Sequence, residues 1–297
     1  MTATTSTSAV PQLKPAKRAS TLNLAVRRFW RSKVAVGALA FILLQLLIAV
    51  FAAQIAPYDP YYSDYSVTYA GPSAQHWLGT DDLGRDLLSR LIFGTRVSYA
   101  VGLLSQIAIV IVGLPLGALA GLSGGWFDFV LTRIIDILSS IPGLLLYILL
   151  VIALGAGLDS ILIAMSMTGW IGIARLIRGQ VLTLKESDFV RASRSMGAGT
   201  SWIMRAHVAR NSLTPVIVSM TLGVPGAMFG EAGLSFLGLG IPAPTPSWGQ
   251  MIGVYASYVR TAPHLVLYPS LILAATMLAW ILLGDGVRDA LDPNIRS

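Results

Sequence analysis

The chain has 297 residues, of which 55% are hydrophobic and only 12% are charged, and it contains no cysteine. Soluble domains carry about 25% charged residues, so this composition excludes an ordinary soluble domain and predicts a protein embedded in a lipid bilayer. The lack of cysteine excludes disulfides and thiolate chemistry, and the net charge of +7 comes without the mixed basic and aromatic clusters typical of nucleic-acid binding.

The N-terminal part of the chain contains the first predicted membrane span. Residues 1–20 are rich in Thr, Ser, Ala, Pro and Lys without apolar periodicity, which predicts a disordered tail. Residues 34–56 carry no charge and are longer than the apolar core of a signal peptide, which has about 7–15 residues. We therefore predict that the segment 21–60 contains a transmembrane helix and is not a cleaved signal.

The segment 61–96 is predicted to be a long loop between the first two spans. Tyrosines in and just before it suit an aromatic belt at the membrane–water interface: Tyr58, Tyr61, Tyr62, Tyr65 and Tyr69. Within residues 82–93, leucine and isoleucine fall on one helical face, opposite Arg85, Asp86 and Arg90. This pattern predicts an amphipathic helix that lies against the membrane surface.

Five further apolar stretches of spanning length follow, and with the first they predict an all-α integral membrane protein with six transmembrane helices. They cover residues 97–127, 137–158, 160–174, 211–230 and 261–284, the third continuing through Arg175. Residues 232–259 also lack charge, but the prolines at 242, 244 and 246 argue against a continuous helix. In the second span Gly113, Gly117 and Gly121 recur every four residues, a spacing that lets a neighbouring helix pack closely.

Lysine and arginine are distributed unevenly between the two sides of these spans. Most of the 21 basic residues lie in the N-terminal tail or within residues 175–210. The positive-inside rule therefore predicts that both termini, including a tail at 285–297, face the cytoplasm. The segment 61–96 is then extracytoplasmic, and the core 97–284 carries a cytoplasmic loop at 185–211.

This loop is a polar island in an otherwise apolar chain. Its first half predicts a short helix, in which these residues recur at helical spacing: Glu186, Phe189, Val190, Ser193 and Met196. Gly197 and Gly199 then end the pattern, and a second short helix is predicted from Trp202 onward. Such a pair would present Phe189, Val190 and Met196 as an apolar edge. The simpler alternative is a loop that only connects two spans.

The loop resembles the coupling loop of the permease subunits of ATP-binding-cassette (ABC) importers. Arg191, Ala192 and Ser193 stand at the family's Glu-Ala-Ala triplet and Gly197 stands at its glycine, whereas residues 207–210 differ from its Ile-x-Leu-Pro. In that family the loop docks into a groove of a separate ATPase subunit. The resemblance therefore implies an ATPase-coupling role for residues 186–197.

Three other segments, at residues 76–86, 233–249 and 282–293, resemble the dipeptide, oligopeptide and nickel branch of this family, in its second-permease type. The resemblance implies a type I ABC importer permease in a bacterial cytoplasmic membrane. The implied partners are a homologous second permease, two ATPase subunits that bind ATP and Mg²⁺, and an extracytoplasmic substrate-binding protein. The implied cargo is small peptides, with nickel or glutathione as alternatives in the same subfamily.

Neither a catalytic site nor a resident cofactor is predicted. The sequence has no Gly-x-x-x-x-Gly-Lys-Ser/Thr loop for ATP, so the energy for transport must come from a partner. His76, His207 and His264 lack the spacing of metal ligands. Residues 121–125 match the hydrolase pattern Gly-x-Ser-x-Gly, but they follow a membrane helix instead of a strand.

Charged residues inside predicted spans are candidates for function. Arg133 and Asp136 are three residues apart, which favours a mutual ion pair. Glu231 lies at the outer end of a predicted span, where it could cap a broken helix or contact a substrate amine on the translocation path. An ion-coupled secondary transporter is the alternative from another class, and only Glu231 and Asp136 would supply its membrane carboxylates.

Overall fold

A computed structural model describes residues 21–199, 202 and 210–291, and within these residues the chain is built from helices and turns, with one isolated β-bridge between Thr80 and Asp86. The α-helices are α1 (Thr21–Arg31), α2 (Lys33–Val50), α3 (Ala52–Ile55), α4 (Leu87–Ser123), α5 (Gly125–Ser139), α6 (Gly143–Leu154), α7 (Leu158–Lys185), α8 (Asp188–Ser195), α9 (Arg210–Phe236), α10 (Trp248–Tyr255) and α11 (His264–Leu291). The predicted disordered tail at 1–20 lies outside the described residues.

Five of these helices are long and apolar enough to cross a membrane. They are α2, α4, α7, the part of α9 from Thr214 and α11. A sixth span is formed if α5 and α6 count as one, because they pass the same test together across a bend of 88°. The prediction of six spans is confirmed in this sense, with one of the six sharply broken.

The start of α4 corrects the predicted surface helix at 82–93. Residues from Leu87 onward are the first turns of the long membrane helix, and residues 80–86 form turns instead. Arg85, Asp86 and Arg90 are buried, so the face that was predicted to meet water is covered by protein. The physical reason is that these charges have partners within the protein: Asp81 for Arg85 and Arg90, and His76 and Ser89 for Asp86.

Three other helix boundaries also differ from the prediction. The predicted span at 137–158 begins only at Gly143, after a break at Pro142, whose ring nitrogen has no proton to donate to a continuing helix. Helix α9 runs past Glu231 to Phe236. Helix α11 extends to Leu291, so residues 285–291 of the predicted tail are helical.

Helices α4 and α7 pack with their backbones close together, and the three predicted glycines lie in this contact. A β-carbon at Gly113 would be 2.7 Å from the carbonyl oxygen of Trp170, and one at Gly117 would be 2.3 Å from that of Ala174. At Gly121 it would be 2.7 Å from Cβ of Val181. Because real β-carbons do not approach so closely, only glycine permits this spacing of the two helices.

Helix α2 is joined to α4 and α11 by a buried polar cluster. The hydroxyl of Tyr99 in α4 donates to Oε1 of Gln45 in α2 at 2.5 Å, and Nε2 of Gln45 donates to Thr276 Oγ1 in α11 at 2.8 Å. All three side chains are buried. In an apolar environment such bonds satisfy groups that would otherwise be costly to bury, so they fix how the first span docks on the others.

Candidate functional site

Residues of four helices line a partly open cavity of about 300 Å³. Its described lining comes from α4, α6, α7 and α9 and contains no charged side chain. The lining residues are Gln106, Ile109, Tyr147, Met165, Gly169, Gly172, Ile173, Ser219, Gly223, Gly226 and Ala227. A cavity with a few uncharged polar groups among small and apolar residues can admit a solute without selecting for its charge.

Glycines give this cavity its shape. A β-carbon at Gly223 would lie 2.1 Å from Oε1 of Gln106, and one at Gly169 would lie 2.4 Å from Cδ1 of Ile109. Glycine at these positions therefore leaves space for the side chains of α4 between α7 and α9. The sequence analysis did not find this cavity, because its lining residues are scattered over four helices.

Helix α9 crosses the bundle, and in the chain α8 precedes it and α10 follows it. We therefore name the two ends of the bundle the α8 end and the α10 end. At the α10 end, apolar side chains close the cavity: Val151, Ile161, Leu234, Leu239 and Ile241 pack in one cluster with the cavity residues Met165 and Ala227. Leu239 and Ile241 belong to the α9–α10 loop, residues 237–247. This loop therefore covers the α10 end of the cavity.

Glu231 is buried beside this closure, with 1% of its surface exposed, and it is not among the residues that line the cavity. Its Oε1 accepts hydrogen bonds from Ser235 Oγ at 2.8 Å and from Ser247 Oγ at 2.7 Å. Ser247 is the N-cap of α10, so the carboxylate links α9 to the start of the next helix. Its place on the translocation path stays a prediction.

At the opposite end, α8 carries the predicted coupling residues. Phe189 and Met196 are exposed at 44% and 81%, and Gly197 has a φ of +86°, in the left-handed region that favours glycine. A groove of about 400 Å³ adjoins this turn, lined in part by Met196 and Trp202. The predicted second helix, apart from Trp202, lies outside the described residues.

Val190 corrects the predicted apolar edge of α8. It is 1% exposed and packs in one cluster with Ile177 and Val181 of α7, so it faces the bundle and not a partner. Ser193 is buried as well, and its hydroxyl donates to the carbonyl of Phe189 at 2.8 Å. The remaining predicted residues, Glu186, Arg191 and Ala192, are exposed.

Ion pairs join the helices near the α8 end. Arg133 and Asp136 in α5 lie 3.8 Å apart, as their spacing predicted, and Arg178 in α7 pairs with Asp128 in α5 at 2.5 Å. The second pair ties α5 to α7, whereas the first lies within α5. Since Val190 of α8 packs on α7, both α5 and α8 are attached to α7.

A cluster of buried charges orders the loop at the α10 end, and the sequence analysis missed it. Asp81 is fully buried and lies 2.7 Å from Nε of Arg85 and 3.3 Å from Nε of Arg90. Tyr255 donates to Oδ1 of Asp82 at 2.7 Å, which joins the loop to α10. The density of charge in residues 81–86 was the available signal for the local pairs of Asp81, whereas the contact with Tyr255 is remote in sequence.

Burial and charge act on two groups of this cluster. Burial disfavours the charged guanidinium of Arg85, but Asp81 more than offsets this, and the pKa of Arg85 is raised. Burial, followed by the charge of Asp81, raises the pKa of Tyr255. Both groups therefore keep their ordinary protonation at neutral pH.

These features together define a class of protein. Among the described residues no group of three or more His, Asp or Glu could hold a metal ion. Four helices line a small uncharged cavity in a bundle of five or six membrane-crossing spans, and an exposed helix and glycine turn lie at one end. These are features of a membrane transport subunit.

Comparisons with known proteins specify the family. The protein-family model described as "Binding-protein-dependent transport system inner membrane component" matches residues 113–297. A second family model, "N-terminal TM domain of oligopeptide transport permease C", matches residues 20–72. The chain belongs to this family: it is a multi-pass inner-membrane permease subunit of an ABC importer, a transport component and not an enzyme. Members of the family work with a second permease, ATPases and a binding protein.

Curated relatives are similar over most of their length. The oligopeptide transport system permease protein OppC of Bacillus subtilis is 43% identical over 92% of this chain and 89% of the relative. The glutathione transport system permease protein GsiD of Pectobacterium atrosepticum is 42% identical over 91% and 90%. The dipeptide transport system permease protein DppC of Bacillus subtilis is 40% identical over 91% and 85%.

A solved structure has the same fold. A chain of the MetNI methionine ABC transporter, in an inward-facing conformation, superposes with a TM-score of 0.57 at 20% identity, over 68% of this chain and 96% of that chain. At this identity the similarity concerns the fold alone. The expected fold of an ABC importer permease is thereby confirmed.

Proposed function

We propose that this chain and a homologous second permease together form the path by which small peptides cross the inner membrane. The similarity to oligopeptide, dipeptide and glutathione permeases over about nine-tenths of the chain carries the proposal. The uncharged cavity supports it, since peptides with varied side chains share only an uncharged backbone between their ends. A nickel permease of the same subfamily is the alternative.

The α8 end is the cytoplasmic end in this proposal, and the α10 end faces outward. Phe189, Met196 and the turn at Gly197 contact one of two ATPase subunits, and the exposure of these apolar side chains supports that role. Val190 and the ion pairs of α5 with α7 then transmit the movement of α8 to the membrane helices. An extracytoplasmic binding protein delivers the cargo to the α10 end.

Uptake in cells tests the proposal directly. A strain that lacks its own peptide permeases receives this chain with its second permease, ATPases and binding protein, and uptake of labelled di- and oligopeptides is measured. Uptake should require the ATPase subunits and persist with a protonophore at constant ATP. The matched control carries an ATPase variant that cannot hydrolyse ATP.

Other outcomes would contradict the proposal in specific ways. Uptake that persists without the ATPases and collapses with the protonophore would favour an ion-coupled secondary transporter. Uptake of a nickel chelate, with no peptide uptake by the same complex, would favour the nickel alternative.

A further inference from the structure

The contact between α9 and α10 depends on the buried carboxylate of Glu231. Ser247 Oγ donates to this carboxylate at 2.7 Å and accepts from the backbone nitrogen of Gln250 at 2.9 Å. One hydroxyl thus joins Glu231 to the first turn of α10. A carboxylate at a helix N-terminus is also favoured by the helix dipole.

Two glycines in α10 make the contact close. A β-carbon at Gly249 would lie 2.4 Å from Oε2 of Glu231, and one at Gly253 would lie 2.7 Å from the carbonyl oxygen of Ser235. With glycine at these two positions, four residues apart, the backbone of α10 rests directly on α9. A larger residue at 249 would clash with this carboxylate and with Cα of Ala232, 2.6 Å away, and would push α10 away from α9 without removing the carboxyl group.

On its other side α10 is held to α4. The backbone nitrogen of Trp248 donates to Ser98 Oγ at 3.1 Å, and its ring nitrogen donates to the carbonyl of Leu91 at 3.1 Å. Helix α10 therefore lies between α4 and α9, with hydrogen bonds to both. Release of the α9 side alone would let α10 stay attached to α4 while the α9–α10 loop leaves the cavity.

The α9–α10 loop is the cover of the cavity at this end. Leu239 and Ile241 pack in one apolar cluster with Leu234 and with Met165 and Ala227, which also line the cavity. The loop ends at Ser247, so the position of this hydroxyl fixes one end of the cover. The bond of Ser247 to Glu231 is a connection between the cover and a membrane helix that borders the cavity.

We propose that Glu231 is a positioning residue that, with Ser247 and Gly249, holds α10 and the α9–α10 loop over the outer end of the cavity. Separation of this contact is part of the outward opening of the permease. Glu231 acts through the cover and does not bind the cargo. The inference rests on the proposed function for its orientation and for the need to open outward.

Labelling of a single cysteine tests this in the whole transporter, because the chain has no cysteine of its own. Ser219→Cys places the reporter in the cavity lining, and an impermeant thiol reagent is applied to intact cells. Glu231→Ala should increase the labelling rate about tenfold, the effect expected when one buried hydrogen bond is lost. Gly249→Ala should increase it similarly while the carboxylate stays intact.

Two variants separate positioning from general damage to α9. Ser235→Ala removes the other hydrogen bond to Glu231, which lies within α9, so the labelling rate should remain near that of the parent. Glu231→Gln keeps an oxygen that can accept from Ser247, and its rate should lie much closer to the parent than that of Glu231→Ala.

The inference is overturned if both Glu231→Ala and Gly249→Ala label at the parental rate, or if Ser235→Ala increases labelling as much as they do. The readout is accessibility, so it does not depend on which solute is carried. Ser63→Cys, in the loop before α4, serves as the reference for the outside. If that cysteine reacts only in inverted vesicles, the proposed orientation has failed, and the reporter is then measured from that side.

Discussion

Neighbouring side chains of α8 face different surroundings. Val190 is buried against α7, whereas Phe189 beside it is 44% exposed. Since successive helical residues point about 100° apart, one side chain can hold α8 on the bundle while the next meets a partner. In the proposed coupling role, the apolar surface that meets an ATPase is therefore Phe189 with Met196, which is smaller than the surface that the spacing alone predicted.

Gly197 directs the chain that leaves this surface, and its substitution should weaken coupling. A β-carbon there would meet nothing within 4 Å, so Gly197→Ala costs only the strain of its positive φ, about 1 kcal/mol. Gly197→Asp adds a charge to the same turn. We expect normal membrane insertion of both variants, with reduced co-purification of the ATPases and reduced uptake, more severe for Asp.

Gly199→Ala is the matched control, because its β-carbon would also meet nothing within 4 Å and its φ is not positive. It should behave like the parent. If Gly197→Asp retains its ATPases and transports at the parental rate, residues 186–197 are not the coupling element.

At the scale of helices, α4 shows what the sequence could predict. Its apolar run and its glycines every four residues predicted a span and a close neighbour, because both depend on local composition and spacing. Its first turns were predicted to be a helix on the membrane surface, because Arg85 and Arg90 are charged. Their partners Tyr255 and Pro244 are 170 and 154 residues away along the chain, and no local pattern reveals them.

Helices α5 and α6 are a second case in which a local sequence pattern did not predict the structure. The charge-free run at 137–158 predicted one span, but an 88° bend divides it, since Pro142 interrupts the helix and Gly143 starts another. The cavity and the Ser247 contact of Glu231 were also missed. Each is formed by residues from separate helices, so only the packed structure brings them together.

The α4–α7 contact should be sensitive to a single methyl group. Gly117→Ala would place a β-carbon 2.3 Å from the carbonyl oxygen of Ala174, and the helices must separate. We expect a loss of about 1–3 kcal/mol, the usual cost of overpacking, measured as a lower midpoint of thermal unfolding in detergent.

Gly179→Ala in α7 is the control for this change. Its β-carbon would meet nothing within 4 Å, and alanine is a better helix former, so stability should be unchanged or slightly higher. Equal midpoints for Gly117→Ala and the parent would show that α4 and α7 do not pack as described.

At the scale of the whole molecule, the two ends of the bundle differ in what they can do. The α10 end is closed by an apolar cover and by buried ion pairs, which suits a gate that opens only when a partner or ligand acts on it. The α8 end presents an exposed helix joined firmly to α7. This division fits a transporter in which the ATPase acts at one end and the cargo enters at the other. The assignment of these two roles follows from which end faces the cytoplasm.

The orientation of the bundle can be measured with single cysteines at its two ends. The excess of lysine and arginine in the N-terminal tail and near α8 predicts that the α8 end lies in the cytoplasm. Ser63→Cys, in the loop before α4, should therefore react with an impermeant thiol reagent on intact cells. Ser187→Cys, just before α8, should react only after permeabilisation. The parent chain is the control for both, since it has no cysteine and should not react.

The reverse pattern would invert every span, and with them the assignment of α8 to the ATPases and of the α9–α10 loop to the outside. Reaction of both cysteines on intact cells would instead mean that an even number of spans separates the two loops, whereas α4, the α5–α6 pair and α7 make three.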